Sequence, residues 1–80
     1  MNVRAARKAA MALIAERQEG KTVCPSEIAR AMTQGHNWRD AMPQVHEAID
    51  ALLVEGSVQL SWKGEIMTER SGPYRIGRPD

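Results

Sequence analysis

The sequence predicts an α+β fold in which a core of three helices is followed by a small C-terminal β-hairpin. Up to Gly56 the apolar residues recur every three or four positions, as one face of a helix requires. After Gly56 they alternate with polar residues, as in a half-buried strand. Gly20, Gly35 and Gly56 fall at the ends of the helical segments. Eighty residues leave room for one hydrophobic core, so we expect a single domain over residues 1–80.

The first predicted helix runs from Val3 to Gln18 and has an alanine-rich apolar face. Alanine buries little area, so Leu13 and Ile14 should be the main core anchors of this helix. Gly20 is expected to be its left-handed C-terminal cap. The short segment that follows, residues 21–23, suits either a small strand or an extended connector.

The second predicted helix begins at Pro25, because proline at the first helical position loses no hydrogen bond. Glu27 then lies in the first turn, where a negative charge is favourable. The inward face carries Ile28, Ala29 and Met32, and we expect the helix to stop before Gly35.

The third helical pattern starts after a polar turn, with Asn37 as a candidate N-cap. Pro43 interrupts the pattern, because proline disfavours helical geometry at the residue before it. We therefore expect one turn over residues 38–41, then a helix from about Pro43 to Glu55 that Gly56 closes. Its inward positions include Val45, Ile49, Leu52 and Leu53.

The C-terminal segment has two alternative pairings. Val58, Leu60 and Trp62 form an alternating strand, and Tyr74 with Ile76 can return as its antiparallel partner across a loop of about ten residues, 63–72. The second alternative is a tight hairpin that turns at Lys63-Gly64 and uses residues 65–68 as the partner strand. We expect Trp38 and Trp62 to point inward, since the chain has no phenylalanine to fill the core.

This order of elements is similar to that of a winged helix-turn-helix domain, in which a hairpin wing follows the third helix. The chain also resembles a bacterial family of domains of unknown function with a winged-helix-like fold. The resemblance spans nearly the whole chain and is carried by four stretches: residues 24–31 (CPSEIARA), Trp38-Arg39, Met42-Pro43, and residues 72–76 (GPYRI). It implies a fold and no assigned activity.

In DNA-binding members of the wider superfamily, the third helix enters the major groove and the wing contacts the backbone. The resemblance would assign these roles to Arg39, Gln44, His46 and Glu47 on the third helix and to Lys63, Arg70 and Arg75 in the wing. We predict that Arg39, Gln44, Lys63, Arg70 and Arg75 bind nucleic acid, with duplex DNA as the partner.

The charge pattern limits that prediction to weak binding by the wing. The net charge of the chain is only +1, and residues 37–56 carry Arg39 as their one permanent cation against Asp40, Glu47, Asp50 and Glu55. Such a face repels phosphate, so we expect salt-dependent binding with little sequence discrimination. The alternative is a protein-interaction or homodimerisation domain that packs through Ala5, Ala9, Ala12 and the neighbouring Met11 of the first helix.

The sequence offers no catalytic or metal-binding pattern. Cys24, His36 and His46 match no zinc spacing, and a domain of this size rarely encloses a substrate pocket. We expect a non-enzyme with no cofactor, metal or small-molecule substrate. No segment has the pattern of a signal peptide or a membrane span, and Cys24 is a single thiol. These features predict a cytoplasmic location without membrane association.

Overall fold

Over residues 3–18 and 20–79, which it describes, the computed structural model has three α-helices followed by a three-stranded antiparallel sheet. Residues 1, 2, 19 and 80 of the predicted domain lie outside this description. The helices are α1 (Val3–Glu16), α2 (Pro25–Thr33) and α3 (Met42–Glu55), with a 3-10 turn (Trp38–Ala41) directly before α3. The strands are β1 (Gln59–Trp62), β2 (Glu65–Met67) and β3 (Arg75–Gly77). The predicted α+β class is confirmed, and the layout is consistent with a winged helix.

Helix α1 ends earlier than predicted. Its last residue is Glu16 rather than Gln18, and the N–H of Arg17 donates to the carbonyl of Ile14 at 3.2 Å, which tightens the end of the helix. Gly20 has a left-handed φ of 85°, but it lies in the connection to α2, beyond the helix end. The prediction that Gly20 caps this helix was wrong, because Gly20 lies four residues beyond Glu16 and its positive φ turns the connecting segment instead.

Helix α2 begins and ends as predicted. Pro25 is its first residue, and the carboxylate of Glu27 accepts a hydrogen bond from the backbone N–H of Cys24 at 2.7 Å. This contact satisfies a donor that the first turn of a helix leaves unpaired. The helix ends at Thr33, where Gln34 takes a left-handed conformation and its N–H donates to the carbonyl of Arg30.

The interrupted pattern before α3 is confirmed as a 3-10 turn that runs into the helix, with Pro43 in its first turn. Asn37 precedes the 3-10 turn, but its side chain makes no capping hydrogen bond; its carbonyl accepts the N–H of Asp40 at 2.9 Å. At the other end Gly56, with φ 79°, closes α3 by donating to the carbonyls of Leu52 and Leu53.

The sheet contains both of the pairings that the sequence left open. Strand β1 is central, with β2 on one side and β3 on the other. Lys63 and Gly64, both at positive φ, form the two-residue turn between β1 and β2. The expected ten-residue loop was therefore wrong, because residues 65–67 pair with β1 within it. Val23 adds one further bridge to Ile76, so the connector before α2 joins the sheet edge beside β3.

The core lies between the helices and the inner face of the sheet. Ile28, Ile49, Leu52, Leu60 and Ile76 are its largest fully buried side chains. Trp38 packs against this core, but Trp62, predicted to point inward, is 39% exposed. Trp62 is the last residue of β1 and pairs with Glu65 directly beside the turn, at the end of the hairpin. Met32, Met42 and Met67 pack against the core as flexible filler.

Candidate nucleic-acid interface

Two of the three predicted wing cations are engaged within the protein. Arg70 donates from Nε and Nη2 to the two carboxylate oxygens of Asp50, at 3.0 and 3.1 Å. Arg75 donates from Nε to the hydroxyl of Thr22 at 2.7 Å, and its Nη2 lies 4.0 Å from the carboxylate of Glu27. Lys63 is exposed at the tip of the β1–β2 turn and forms no ion pair with a described residue. Of the three predicted wing cations, Lys63 is therefore the one without a carboxylate partner among the described residues.

A cluster that the sequence analysis missed lies at the corner between α2 and α3. The guanidinium carbon of Arg39 is 4.5 Å from the centroid of the Trp38 ring, and that of Arg30 is 4.6 Å from the same centroid. Both arginines are exposed, and neither has an ion pair with a described residue. We call Arg30, Trp38 and Arg39 the basic corner.

The fold positions the three residues of the basic corner from two different elements. Arg30 lies in the last turn of α2, where a cation is favoured by the partial negative charge of the helix end. Trp38 and Arg39 open the 3-10 turn, and partial burial of Trp38 against the core fixes its ring. An aromatic face attracts a guanidinium and orients it at a small cost in side-chain entropy. The adjacent Trp38-Arg39 pair was visible in the sequence, but only the tertiary fold brings Arg30 to it.

The remaining predicted residues of the third helix take local roles. With its amide nitrogen facing them, the side chain of Gln44 donates to the carbonyls of Ala41 at 2.9 Å and Asp40 at 3.2 Å. Its amide thus faces the backbone of the 3-10 turn, and the side chain is half-buried. His46 is half-buried and contacts Tyr74, and Glu47 is exposed. Of the four residues predicted to contact nucleic acid from the third helix, Arg39 is thus the one that lies beside a second cation, Arg30, at the Trp38 ring.

The acidic character of the third helix is partly compensated by ion pairs. Arg7 binds both oxygens of Glu55 at 2.6 Å, and this contact lowers the pKa of the Glu55 carboxyl. Arg70 binds Asp50 in the same two-point manner. Asp40 and Glu47 remain exposed without an ion pair to a described residue. The repulsion of phosphate expected from four carboxylates is therefore reduced at the two toward the C-terminal half of α3.

Comparison with known protein families identifies the chain. A family model described as a protein of unknown function, DUF3253, matches residues 3–79. The chain belongs to the DUF3253 family. This confirms the resemblance to a family of domains of unknown function, and it assigns no ligand. The search of curated proteins found none similar to this chain.

The DUF3253 chain holds the connection between β2 and β3 (residues 68–74) against α3 through a second polar contact. Nδ1 of His46 lies 2.6 Å from the hydroxyl of Tyr74, and the two rings are 5.6 Å apart. Burial raises the pKa of the Tyr74 hydroxyl, so it stays protonated at neutral pH. Burial, and then the nearby charge of Arg70, lower the pKa of His46, so its imidazole is neutral under the same conditions. The pair fastens residues 70–74 to the third helix as Arg70 and Asp50 do.

The other candidate reactive group, Cys24, is half-buried at the N-terminus of α2, with its Sγ 3.1 Å from the hydroxyl of Ser26. Within residues 3–18 and 20–79, no three His, Cys, Asp or Glu side chains lie close enough together to hold a metal ion. No helix in that part of the chain is both long and apolar enough to cross a membrane.

Proposed function

We propose that this DUF3253 chain is a non-catalytic module that binds duplex DNA, with the basic corner as its main phosphate contact. One observation carries the proposal: two guanidinium groups from different elements share the ring of Trp38, and neither is neutralised by a carboxylate of a described residue. Stacking over a ring occupies the face of a guanidinium and leaves its N–H groups free in the plane. Those N–H groups match the geometry of phosphate oxygens.

The position of the basic corner supports the same proposal. It directly precedes α3, the element that enters the major groove in DNA-binding winged-helix domains. Residues at the start of such a helix approach the duplex most closely, so Arg39 would contact a phosphate near the groove edge. Arg30, at the end of α2, would contact the backbone beside it. Lys63, at the tip of the β1–β2 turn, is the wing cation that remains available for a further contact.

Sequence discrimination should be weak. Reading of bases requires donors and acceptors held out toward the groove, and the Gln44 amide instead bonds to the carbonyls of the 3-10 turn. Each phosphate that a cation neutralises contributes about 0.9 to the slope of log affinity against log salt. Arg30, Arg39 and Lys63 together would therefore give a slope of about −2 to −3.

The groups that could act as acids, bases or nucleophiles instead contact neighbouring side chains, which supports a non-catalytic role. His46 and Tyr74 bond to each other, and the thiol of Cys24 faces the hydroxyl of Ser26 at a helix end. These contacts support roles in holding the fold together. The second candidate function is protein binding or homodimerisation, and a different feature, the exposed edge of β2, favours it.

The test is fluorescence anisotropy with a labelled random duplex DNA at low and moderate salt. We expect the double variant Arg30→Ala/Arg39→Ala to weaken binding about tenfold or more at low salt, because two phosphate contacts are lost. The matched control is Arg4→Ala/Lys8→Ala, which removes the same charge from two exposed residues of α1. The control should weaken binding by less than about threefold, since it changes only the general field.

The triple variant Lys63→Ala/Arg70→Ala/Arg75→Ala tests whether the three wing cations predicted from the sequence, rather than the basic corner, bind the DNA. Abolished binding in the triple variant, with normal binding in the corner variant, would transfer the site to the wing. Equal losses in the corner and α1 variants would remove the basic corner as a site. No wild-type binding at low salt would contradict the nucleic-acid proposal as a whole and favour a protein partner.

A further inference from the structure

The sheet has one edge that no described residue covers. Strand β2 is the outer neighbour of β1, whereas the opposite side of the sheet is extended by the bridge between Val23 and Ile76. The central residue of β2, Ile66, exposes 64% of its surface. An exposed edge strand with an apolar centre is a template on which another strand can pair.

The backbone of Ile66 is oriented for such pairing. The N–H and C=O of Ile76 both bond to Val23, at 2.9 and 2.7 Å, so they point away from β1. In antiparallel ladders the hydrogen-bonded and non-hydrogen-bonded pairs alternate. Leu60, opposite Ile76, therefore directs its own groups to Met67 of β2, and the next pair, Ser61 and Ile66, is not hydrogen-bonded. The N–H and C=O of Ile66 consequently point out of the sheet at its free edge.

We propose that two copies of this chain dimerise by antiparallel pairing of their β2 strands, with a two-fold axis between the two Ile66 residues. The symmetry fits the edge, because an antiparallel hydrogen-bonded pair is related to itself by a two-fold rotation. Ile66 of each copy would exchange two backbone hydrogen bonds with Ile66 of the other. The two exposed side chains would lie side by side on the outer face of the joined sheet.

The charges beside β2 are self-complementary in this register. Pairing centred on residue 66 brings Lys63, in the turn before β2, near Glu69 of the second copy, which follows the end of β2, since each is three residues from the axis on opposite sides. Both side chains are exposed, and neither forms an ion pair with a described residue. Because the dimer has two-fold symmetry, the pair of Lys63 and Glu69 occurs twice. A second copy of the chain is thus an occupant whose charges match the edge.

An exposed apolar residue of α3 borders the same region. Val54 is 90% exposed, and it lines a groove of about 380 Å³ together with Leu53, Thr68 and Glu69. Thr68 and Glu69 directly follow β2, so a strand added at the edge would run close to this groove. The contact is small for a protein interface, and we expect a dimer that forms only at high protein concentration.

The test is sedimentation equilibrium of the full chain over a wide concentration range. We expect a monomer–dimer equilibrium that Lys63→Glu or Glu69→Lys alone weakens about tenfold, because each places like charges in opposition at two positions. The double variant Lys63→Glu/Glu69→Lys restores the opposite charges and should restore the wild-type dissociation constant. Ile66→Glu should give a monomer. Circular dichroism of every variant checks that it is folded.

Met11→Glu distinguishes this edge from the α1 surface that the sequence suggested. Met11 is a 39% exposed apolar residue of α1, so it is a matched control for Ile66. The substitution Met11→Glu should leave the dimer intact. A wild type that stays monomeric at every concentration would overturn the proposal, as would a dimer that Met11→Glu dissociates and Ile66→Glu does not. Failure of the double variant to recover dimerisation would exclude the register. None of these results depends on whether the chain binds DNA.

Discussion

Arg70 donates two hydrogen bonds, from Nε and Nη2, to the carboxylate of Asp50 and so links the β2–β3 connection to the third helix. By charge alone, Arg70 would attract a nucleic acid and Asp50 would repel it. The structure makes them one ion pair at the surface. The two-point contact uses two of the five guanidinium N–H donors and neutralises the charge of Arg70, so Arg70 attracts a phosphate less strongly while it is paired with Asp50.

This competition predicts the effect of Asp50→Asn. The substitution removes a negative charge from α3 and frees the guanidinium of Arg70. We expect affinity for random duplex DNA to rise about threefold at low salt, and stability to change by less than about 1 kcal/mol, because the pair is exposed to solvent. Anisotropy titrations and urea denaturation measure the two quantities. Unchanged or weaker binding would show that Arg70 and Asp50 lie away from the bound duplex.

The buried face of α3 predicts a large stability difference between neighbouring residues. Leu52 and Ile49 are fully buried, whereas Val54 is 90% exposed on the same helix. Leu52→Ala or Ile49→Ala should lower the free energy of unfolding by about 2 to 5 kcal/mol, because each leaves a cavity in the core. Val54→Ala, the control, should change it by less than about 0.5 kcal/mol. Urea denaturation compares the three variants, and similar losses in all of them would be inconsistent with this helix orientation.

The contact between His46 and Tyr74 predicts a pH dependence of stability. The pKa of folded His46 lies below its ordinary value of 6.5, so the unfolded chain binds a proton more readily. The contribution of His46 is therefore fully present above pH 6.5 and is lost as the pH falls through the lower pKa of the folded state. Denaturation at a series of pH values should show this loss in the wild type and a smaller one in His46→Gln. An identical pH profile for the two proteins would remove His46 as its source.

The turn between β1 and β2 predicts a stabilising substitution. Lys63 adopts a φ of 51° and Gly64 a φ of 84°, the pattern of a type I′ turn, in which Asn-Gly is preferred. Lys63→Asn should raise the free energy of unfolding by a few tenths to about 1 kcal/mol, because asparagine tolerates a positive φ better than lysine. Gly64→Ala should lower it. Thermal denaturation of the wild type and both variants measures these changes. A Lys63→Asn variant that is less stable than the wild type would contradict this turn geometry.

The helices were predictable because their signals are local. Pro25 with Glu27 begins α2, Gly56 ends α3, and the break before Pro43 follows from proline geometry alone. The sheet was less predictable, because β1 has partners on both sides and local alternation cannot distinguish two competing hairpins from a three-stranded sheet.

The candidate site was predictable only in part. Sequence reveals charge but not pairing, so Arg70 and Arg75 looked like free wing cations although Asp50 and Thr22 bind them. Arg30 lay outside every predicted site, since its contact with the Trp38 ring depends on how the chain turns between α2 and α3. Contacts between residues far apart in the chain depend on the tertiary fold, and the spacing of apolar residues in the sequence does not predict them.

The two tryptophans provide the most direct measurement of the basic corner. Trp38 lies at the corner, and Trp62 ends β1 beside Lys63 of the wing. In a titration with random duplex DNA followed by ¹⁵N NMR, the two indole N–H signals, assigned with Trp38→Phe, report the two surfaces separately. We predict that the Trp38 signal shifts most with added duplex, and that the Trp62 signal, beside the further contact at Lys63, shifts less. A shift confined to Trp62, or no shift of either signal at low salt, would contradict binding at the basic corner.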